Sequence, residues 1–352
     1  MPAPQQPLHL LVTGGAGFIG SHVCLALLQA GHRLTVLDNF CTSRPAVLER
    51  VLGLSGMPAE RQRLVQGDVR EPADLQAAFA AAPVDAVLHL AGLKSVAESV
   101  QRPDLYWQVN VQGSRALLAA MEAAGCRRLV FSSSAAVYGA PEQMPIRETT
   151  PLQPLNPYGA TKAAVEALLH AQVRASEGPG PGNPTAPWRV ACLRYFNAVG
   201  GHPTGALAED PLLPPSNLFP LVCQVLSGER RELEVCGGDW PTADGTGVRD
   251  YIHVQDLASG HQAALAWVLQ PDAGYLAVNL GRGEGASVLE VLTAFGQQAG
   301  RPVPRRIVAR RPGDGAVSIA DPSLAAAALG WRACHDLAAM ARDALAGVAA
   351  FT

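Results

Sequence analysis

The sequence predicts an α/β protein organised as a doubly wound parallel sheet, with a smaller α/β domain after it. Three observations carry this expectation. Short runs rich in Leu, Val and Ile alternate with Ala-rich stretches of helical character, and near-continuously apolar strands belong to parallel sheets covered on both faces. The first apolar run leads into a glycine-rich turn and then a helical stretch, the opening of a β-α-β unit. After about residue 198 the alternation fails, Gly, Pro and turn residues become dense, and helical stretches shorten.

In chain order, the expected strands are Leu8–Thr13, Arg33–Asp38, Arg63–Asp68, Ala86–Leu90, Arg128–Ser132, Arg189–Phe196 and Leu276–Leu280, each β-branched or Leu-rich and ended by turn residues. The helices expected between them are Ser21–Ala30, Pro72–Ala81, Asp104–Ala124 and Gly159–Ser176. Glu177–Pro187, dense in Gly and Pro, reads as a loop. Leu276–Leu280 reads as a strand that returns to the first sheet. The first domain is therefore expected to comprise residues 1–197 with a returning segment near 252–281, and the second residues 198–352.

Composition bounds what such a fold can do. The 352 residues have room for about two domains, and 48% hydrophobic against 16% charged content describes a well-buried globular protein. A net charge of −3 supplies no basic stripe for nucleic acid and no attraction to an anionic membrane. No apolar run approaches the roughly 18 residues of a membrane span. Met1–Pro7 lacks the basic-then-apolar order of a signal peptide. The 7 cysteines form no Cys-x-x-Cys pair and the 9 histidines are dispersed. Reduced thiols in a cytoplasmic protein without a metal site are expected.

The turn Thr13-Gly14-Gly15-Ala16-Gly17-Phe18-Ile19-Gly20-Ser21 satisfies Gly-x-Gly-x-x-Gly from Gly15 and a wider Gly-x-x-Gly-x-x-Gly from Gly14. Glycines let the backbone turn tightly and approach a pyrophosphate, while the following helix offers N–H groups and positive potential. Between a strand and a helix, this is the fingerprint of a Rossmann-type dinucleotide site. The second strand ends at Asp38, whose carboxylate suits a ribose diol and repels a 2′-phosphate, so the expected cofactor is NAD rather than NADP. Asp68-Val69, ending the third strand, is placed to reach adenine; the alternative for Asp68 is a turn or helix-capping residue. Leu90-Ala91-Gly92, ending the fourth, is placed to pass beside the pyrophosphate and ribose.

Chemistry concentrates in Asn156-Pro157-Tyr158-Gly159-Ala160-Thr161-Lys162. A phenol with a pKa of about 10 is seldom a base at neutral pH. A cation four residues later on a helix shares its face and favours the phenolate. Ser134, at the end of the fifth strand, faces the cofactor side and is placed to share a hydrogen bond with Tyr158 and a reacting hydroxyl.

The glycine fingerprint, Ser134, Tyr158 and Lys162 together resemble the extended short-chain dehydrogenase/reductase family. Three longer runs narrow the resemblance to its UDP-glucose (UDP-galactose) 4-epimerases: Leu90 to Val100, Leu193-Arg194-Tyr195-Phe196-Asn197, and Asp244 to Val254. The similarity extends over about residues 8–340. It implies that Tyr158, assisted by Ser134, takes the proton of the sugar 4-hydroxyl while hydride passes to bound NAD. The 4-keto sugar then turns over and receives the hydride on its opposite face. Lys162 is implied to hold the cofactor ribose and to favour the phenolate.

The same resemblance assigns cofactor contacts to Gly14, Gly17, Phe18, Ile19, Gly20, Asp38, Asn39, Asp68, Val69, Leu90, Ala91, Lys94, Asn110, Tyr158, Lys162 and Tyr195. Substrate contacts fall to Lys94, Ser134, Tyr158, Asn197, Asn217, Leu218, Cys236, Arg249, Tyr251, Arg311, Asp314 and Ser318. The second domain is thereby expected to bind the UDP-sugar, with Arg forks on the phosphates and Asp314 on the uridine ribose. A ketose that must flip cannot be gripped firmly, so binding free energy has to come from the nucleotide.

Departures from the family pattern carry information. Cys236 stands where an aromatic usually packs on uracil, and Ala136 replaces a Thr, removing one hydroxyl near the sugar. Ser318 is small where members restricted to glucose and galactose tend to carry Tyr, so UDP-GlcNAc and UDP-GalNAc are expected as further substrates. Ala135-Ala136 leaves no carboxylate for the proton chemistry of the related dehydratases and decarboxylases. A nucleotide-sugar reductase and a non-catalytic NAD-binding scaffold are the remaining alternatives. Asp104–Ala124 and Gly159–Ser176 carry apolar residues on more than one face (Leu117, Leu118, Met121; Val165, Leu168, Leu169) and need cover beyond the sheet. Family members pair these helices, so a homodimer is expected; internal packing is the alternative.

Overall fold

The computed structural model describes residues 7–177, 187–209, 215–311 and 313–351. Most of the loop expected at Glu177–Pro187 lies outside the described residues.

The first part of the chain alternates β1 (His9–Thr13), α1 (Phe18–Gln29), β2 (Arg33–Asp38), α2 (Ala46–Ser55), β3 (Gln62–Gln66), α3 (Pro72–Phe79), β4 (Ala86–His89), α4 (Val96–Gln101), α5 (Pro103–Tyr106), α6 (Gly113–Ala123), β5 (Arg128–Ser134), α7 (Pro157–Ser176) and β6 (Arg189–Tyr195). It continues through β7 (Asn197–Val199), α8 (Leu218–Ser227), β8 (Leu233–Cys236), β9 (Val248–His253), α9 (Val254–Val268), β10 (Tyr275–Leu280), β11 (Gly285–Ser287), α10 (Val288–Ala299), β12 (Arg305–Val308), β13 (Val317–Ser318), α11 (Ser323–Leu329) and α12 (Leu337–Phe351).

A seven-stranded sheet runs β10-β6-β5-β4-β1-β2-β3. β1 pairs in parallel with β2 (Leu10 opposite Leu34) and with β4 (Leu10 opposite Ala86). Chain order reverses between β1 and β4, the switch point outside whose carboxyl ends ligands bind in such sheets. β1, β4 and most of β2 are buried, which is why they read as unbroken apolar runs.

The chain divides into two compact units: residues 1–139, 152–194 and 261–278, and residues 140–151, 195–260 and 279–352. Segment 140–151, read from the sequence as part of the first domain, therefore groups with the second, and the returning piece is 261–278. The first unit has its own core, including Leu11, Val87, Leu117, Phe131, Val165 and Trp188. The second is built around Phe219, Val222, Val235, Phe295 and Met340. Beyond residue 198, α9 and α12 span 15 residues each, so helices do not shorten there; the dense turn residues lie between them.

Other differences have local causes. α1 starts at Phe18 rather than Ser21, with Gly20 inside the helix, so the glycine turn and the helix N-terminus overlap. α2 escapes the sequence reading; it opens after Pro45 and closes on Gly56 in the left-handed conformation. The helix expected at Asp104–Ala124 runs without a gap from Pro103 to Ala123 but winds as a π-helix over Trp107–Gln112, between α5 and α6. Leu117, Leu118, Met121, Val165, Leu168 and Leu169 all pack in or against the first unit's core. They need no cover from outside it.

One glycine decides how closely the sheet's two central strands can end. Gly14 has φ +71°, and a Cβ there would lie 2.6 Å from Ala91 N. Gly14→Ala combines a left-handed backbone with overpacking against another backbone segment, and is expected to cost about 1–3 kcal/mol. Urea unfolding of the variant measures this; a midpoint equal to that of the parent would refute the close-approach account.

Candidate active site

Tyr158, Lys162 and Glu166 recur at four-residue spacing along α7 and therefore share one face. Asn156 starts this helix, its Oδ1 accepting the Gly159 N–H at 2.8 Å, and Pro157 occupies the first helical position. Opposite lies the end of β5, which extends to Ser134, two residues beyond the expected limit. Ser134 Oγ accepts the Ala136 N–H at 3.2 Å and starts a 3₁₀ turn over Ala135–Tyr138. A Cβ at Gly159 would meet Ala136 O at 2.5 Å. That close approach seats the first turn of α7 against the end of β5.

Successive turns of α7 then engage consecutive residues of β5. The Ser134 hydroxyl stands beside the Tyr158 phenol and favours its ionised form. Lys162 Nζ donates to Ser132 O at 2.8 Å and lies 4.9 Å over the Phe131 ring. Ser133 Oγ donates to Glu166 Oε1 at 2.5 Å. Glu166 in turn receives the fork of Arg194 from β6 (Nε to Oε1 3.0 Å, Nη2 to Oε2 2.5 Å), and Arg194 Nη1 donates to Tyr138 Oη at 2.9 Å.

The electrostatics differ from the expectation of a phenol depressed by its neighbouring cation. Burial pushes the Tyr158 phenol above its ordinary value, while the Ser134 hydrogen bond draws it back. Lys162 is also buried, which lowers its ammonium to about 8 against the opposing pull of Glu166. Its Nζ lies 6.0 Å from the Tyr158 ring centre and points to a backbone carbonyl. Geometry, not spacing, limits its effect on the phenol.

The dinucleotide turn fits the group that its sequence implies. α1 is capped by Gly17, whose backbone is extended and offers no capping side chain, so its first N–H groups face outward without an intrahelical acceptor. Gly17, Phe18 and Ile19 are half-buried there. Asp38 is held beside the turn: Oδ2 accepts the Ala16 N–H at 2.9 Å, and Oδ1 accepts from Phe40 N and Ser43 Oγ. Asn39 Nδ2 donates to Asp68 Oδ2 at 2.9 Å. Asp68 takes the turn role: it accepts from Arg70 N and from the Arg70 guanidinium, which holds its carboxyl near 2. Val69 turns its side chain into the core, leaving only its backbone for a ligand.

Around the β4 exit, Leu90 and Ala91 are half-buried and Lys94 is exposed. Asn110 stands in the π-helical stretch, buried. Its Oδ1 accepts the Leu93 N–H at 2.8 Å, and its Nδ2 donates to Leu93 O and to Thr161 Oγ1 at 3.0 Å. It thus fastens the β4 loop to α7. Gly92 closes the arrangement, since a Cβ there would lie 3.0 Å from Asn110 Oδ1 and 3.5 Å from Lys162 Nζ.

Sequence reasoning missed His89. Its Nδ1 pairs with Thr13 Oγ1 at 2.7 Å, its Nε2 with Ser114 Oγ at 2.9 Å, and Ser114 Oγ donates to the Asn110 carbonyl at 2.5 Å. Burial, with Lys162 nearby, lowers its pKa to about 3, so it stays neutral. Glu166 was legible as the next step of the Tyr158–Lys162 spacing, but its partners came from distant strands.

In the second unit, adjacent strands collect several of the expected substrate residues. β7, β13 and β11 all pair with β9; Asn197 sits opposite Tyr251 and Ser318 opposite Arg249. Asn197 is exposed and Ser318 half-buried. Arg249 Nη1 donates to Val248 O, and Nη2 stands 4.0 Å from Asp314 Oδ1. Tyr251 does not face outward: its ring packs on Phe219 at 5.5 Å within the core. Tyr195 is also buried. Asn217 precedes α8, donating to Glu209 Oε1 at 3.3 Å, and Leu218 opens the helix. Arg311 Nε donates to Cys236 Sγ at 3.2 Å, the Cys236 position being the one where the resemblance leads to an aromatic. Asp256, Cys334 and His335 bring ligand-type atoms together, but Asp256 accepts from the Cys334 thiol, the His335 N–H and the His335 ring, so the group closes on itself as a loop clamp.

Against this geometry, the sequence pattern of the NAD dependent epimerase/dehydratase family matches residues 10–281. The chain belongs to that family. Among relatives of this family member, a UDP-glucose 4-epimerase of Bacillus subtilis (strain 168) is 46% identical over 334 residues, 95% of each chain. A crystal structure of the UDP-glucose 4-epimerase of Stenotrophomonas maltophila, with bound NAD and formylated UDP-arabinopyranose, superimposes with a TM-score of 0.92 at 46% identity, covering 98% of both chains. The Bifidobacterium longum UDP-glucose 4-epimerase, in complex with NAD⁺ and UDP, gives 0.89 at 43% identity, covering 97% of this chain and 98% of its own.

Proposed function

We propose that this chain is an NAD-dependent UDP-glucose 4-epimerase, an isomerase that interconverts UDP-galactose and UDP-glucose. The observation that carries the reading is the Ser134–Tyr158–Lys162 constellation at the carboxyl end of β5, in a chain that shares its fold and nearly half its residues with enzymes of that name.

Bound NAD supplies the acceptor, and then the donor, for the hydrogen at sugar C4. The residues of the chain do the rest. Tyr158, as the phenolate that Lys162 and the positive charge of oxidised NAD would favour against its burial, takes the 4-hydroxyl proton at Oη and later returns it, with Ser134 beside it. Lys162, charged below about pH 8, keeps positive charge on that face of α7. Gly17, Phe18 and Ile19 offer backbone N–H groups for the pyrophosphate, and Asp38 a carboxylate for the ribose diol. Inversion requires a loosely held sugar, so affinity rests on the nucleotide. Arg249, Arg311 and the N-terminus of α8 at Leu218 supply donors suited to phosphates. Asn197 and Asn217 supply polar groups for the diphosphate and uracil, and Asp314 a carboxylate for the uridine ribose. Ala135 and Ala136 place no carboxylate after Ser134, which disfavours dehydration.

The reading has finer parts. Ser318, small and next to Arg249 across β9 and β13, supports turnover of UDP-GalNAc and UDP-GlcNAc as well. A homodimer is supported by exposed apolar side chains at one end of the α4–α7 region: Val96, Val100, Trp107 and Leu155 are 46%, 64%, 44% and 62% exposed. A cytoplasmic location fits seven free thiols, and among the described residues no helix is long and apolar enough to cross a membrane.

Three outcomes are expected. Tyr158→Phe slows conversion of UDP-galactose, followed by chromatography of the sugar nucleotides, by about 10²–10⁴-fold; a parental rate would sink the mechanism. Parent enzyme turns over UDP-GalNAc, and Ser318→Tyr suppresses this selectively while sparing UDP-galactose. Absence of parental UDP-GalNAc turnover refutes the wider substrate range. Sedimentation velocity reads a dimer for the parent and a monomer for Trp107→Asp; a monomeric parent overturns the assembly.

A further inference from the structure

A buried polar group that the mechanism leaves unused is Glu166, one turn beyond Lys162 on α7. It is 2% exposed, and an isolated carboxylate at that depth would be strongly disfavoured. Its partners come from two strands. Ser133 donates to it from β5, and Arg194 forks onto both its oxygens from β6. Ser133 lies between Ser132, whose carbonyl receives Lys162, and Ser134, whose hydroxyl stands beside Tyr158. A single carboxylate therefore holds the middle residue of the strand end that both catalytic contacts use.

We propose that Glu166 is a positioning residue of this active site: it ties the Ser132–Ser134 strand end to α7 and keeps Lys162 charged. This rests on the reaction proposed above. The groups facing Lys162 are Tyr158 and Glu166 from α7, the Phe131 ring and Ser132 carbonyl from β5, and neutral His89 from β4. Glu166 is the one anion among them. Around Glu166 itself stand Ser133, Arg194, the Cys192 thiol and the Tyr275 phenol, the last two both made harder to ionise by burial and by its charge. The ammonium of Lys162 is thus supported by one carboxylate, and that carboxylate is paired with the Arg194 fork.

The test replaces the ion pair by a neutral amide pair, Glu166→Gln/Arg194→Gln, which leaves no unpaired buried charge. With the anion gone, Lys162 sheds its proton at lower pH. The alkaline limb of the kcat profile for UDP-galactose is expected to move down by about one pH unit, with KM little changed. An unmoved limb in a folded double variant overturns the proposal. Should that variant fail to fold, Ser133→Ala, which deletes one hydroxyl, decides: kcat is expected to fall about ten- to a hundredfold through misalignment, and a parental kcat overturns it. Tyr158→Phe run in parallel separates the two readings, because full activity there faults the proposed reaction rather than Glu166.

Discussion

The active site depends on a ladder of polar contacts between one helix and one strand end. Tyr158, Lys162 and Glu166 meet Ser134, the Ser132 carbonyl and Ser133. Each rung joins groups that would be costly to bury singly, so the ladder forms as a unit or not at all. Lys162 and Glu166 illustrate the constraint. Burial disfavours the ammonium, Glu166 offsets part of that, and Arg194 in turn stabilises Glu166. The Tyr158 phenol thus shares one helix face with contacts made two helical turns away.

The cofactor end of the sheet is organised by a different force, close approach of backbone to backbone. Gly14 permits the turn after β1 to touch the exit of β4 at Ala91, and Gly92 permits the next residue to lie against Asn110 and Lys162. The loop after β4 therefore stands between the dinucleotide turn and the catalytic helix. His89, neutral and bonded to Thr13 and Ser114, anchors the strand beneath it. Asn110 fastens the loop from above, presented by a π-helical turn of the kind that often interrupts helices at functional sites. Nucleotide-binding geometry and proton chemistry are thereby set by the same few residues.

The second unit applies sheet register to the same end. Pairing of β7 and β13 with β9 collects Asn197, Arg249 and Ser318 from segments far apart in the chain. The same alternation of side chains along β9 sends Tyr251 inward to Phe219. The Arg311 guanidinium donates to the Cys236 sulfur.

Much of this was legible without coordinates. Strand periodicity located all seven strands of the large sheet, and the glycine pattern, Asp38, Ser134, Tyr158 and Lys162 marked its chemistry, because these signals are local: they depend on residues within a turn or a strand of one another. What escaped was whatever depends on partners distant in the chain. The π-helical winding at Trp107–Gln112, the core positions of Val69 and Tyr251, the internal packing of Leu117 and Val165, and the tie of Glu166 to Ser133 and Arg194 each arise from such contacts. The sequence alone determined which groups are the candidates for the chemistry and on which elements they ride. Only the tertiary structure decided their ionisation and aim, because burial and hydrogen-bond partners are properties of the packed interior, not of spacing along the chain.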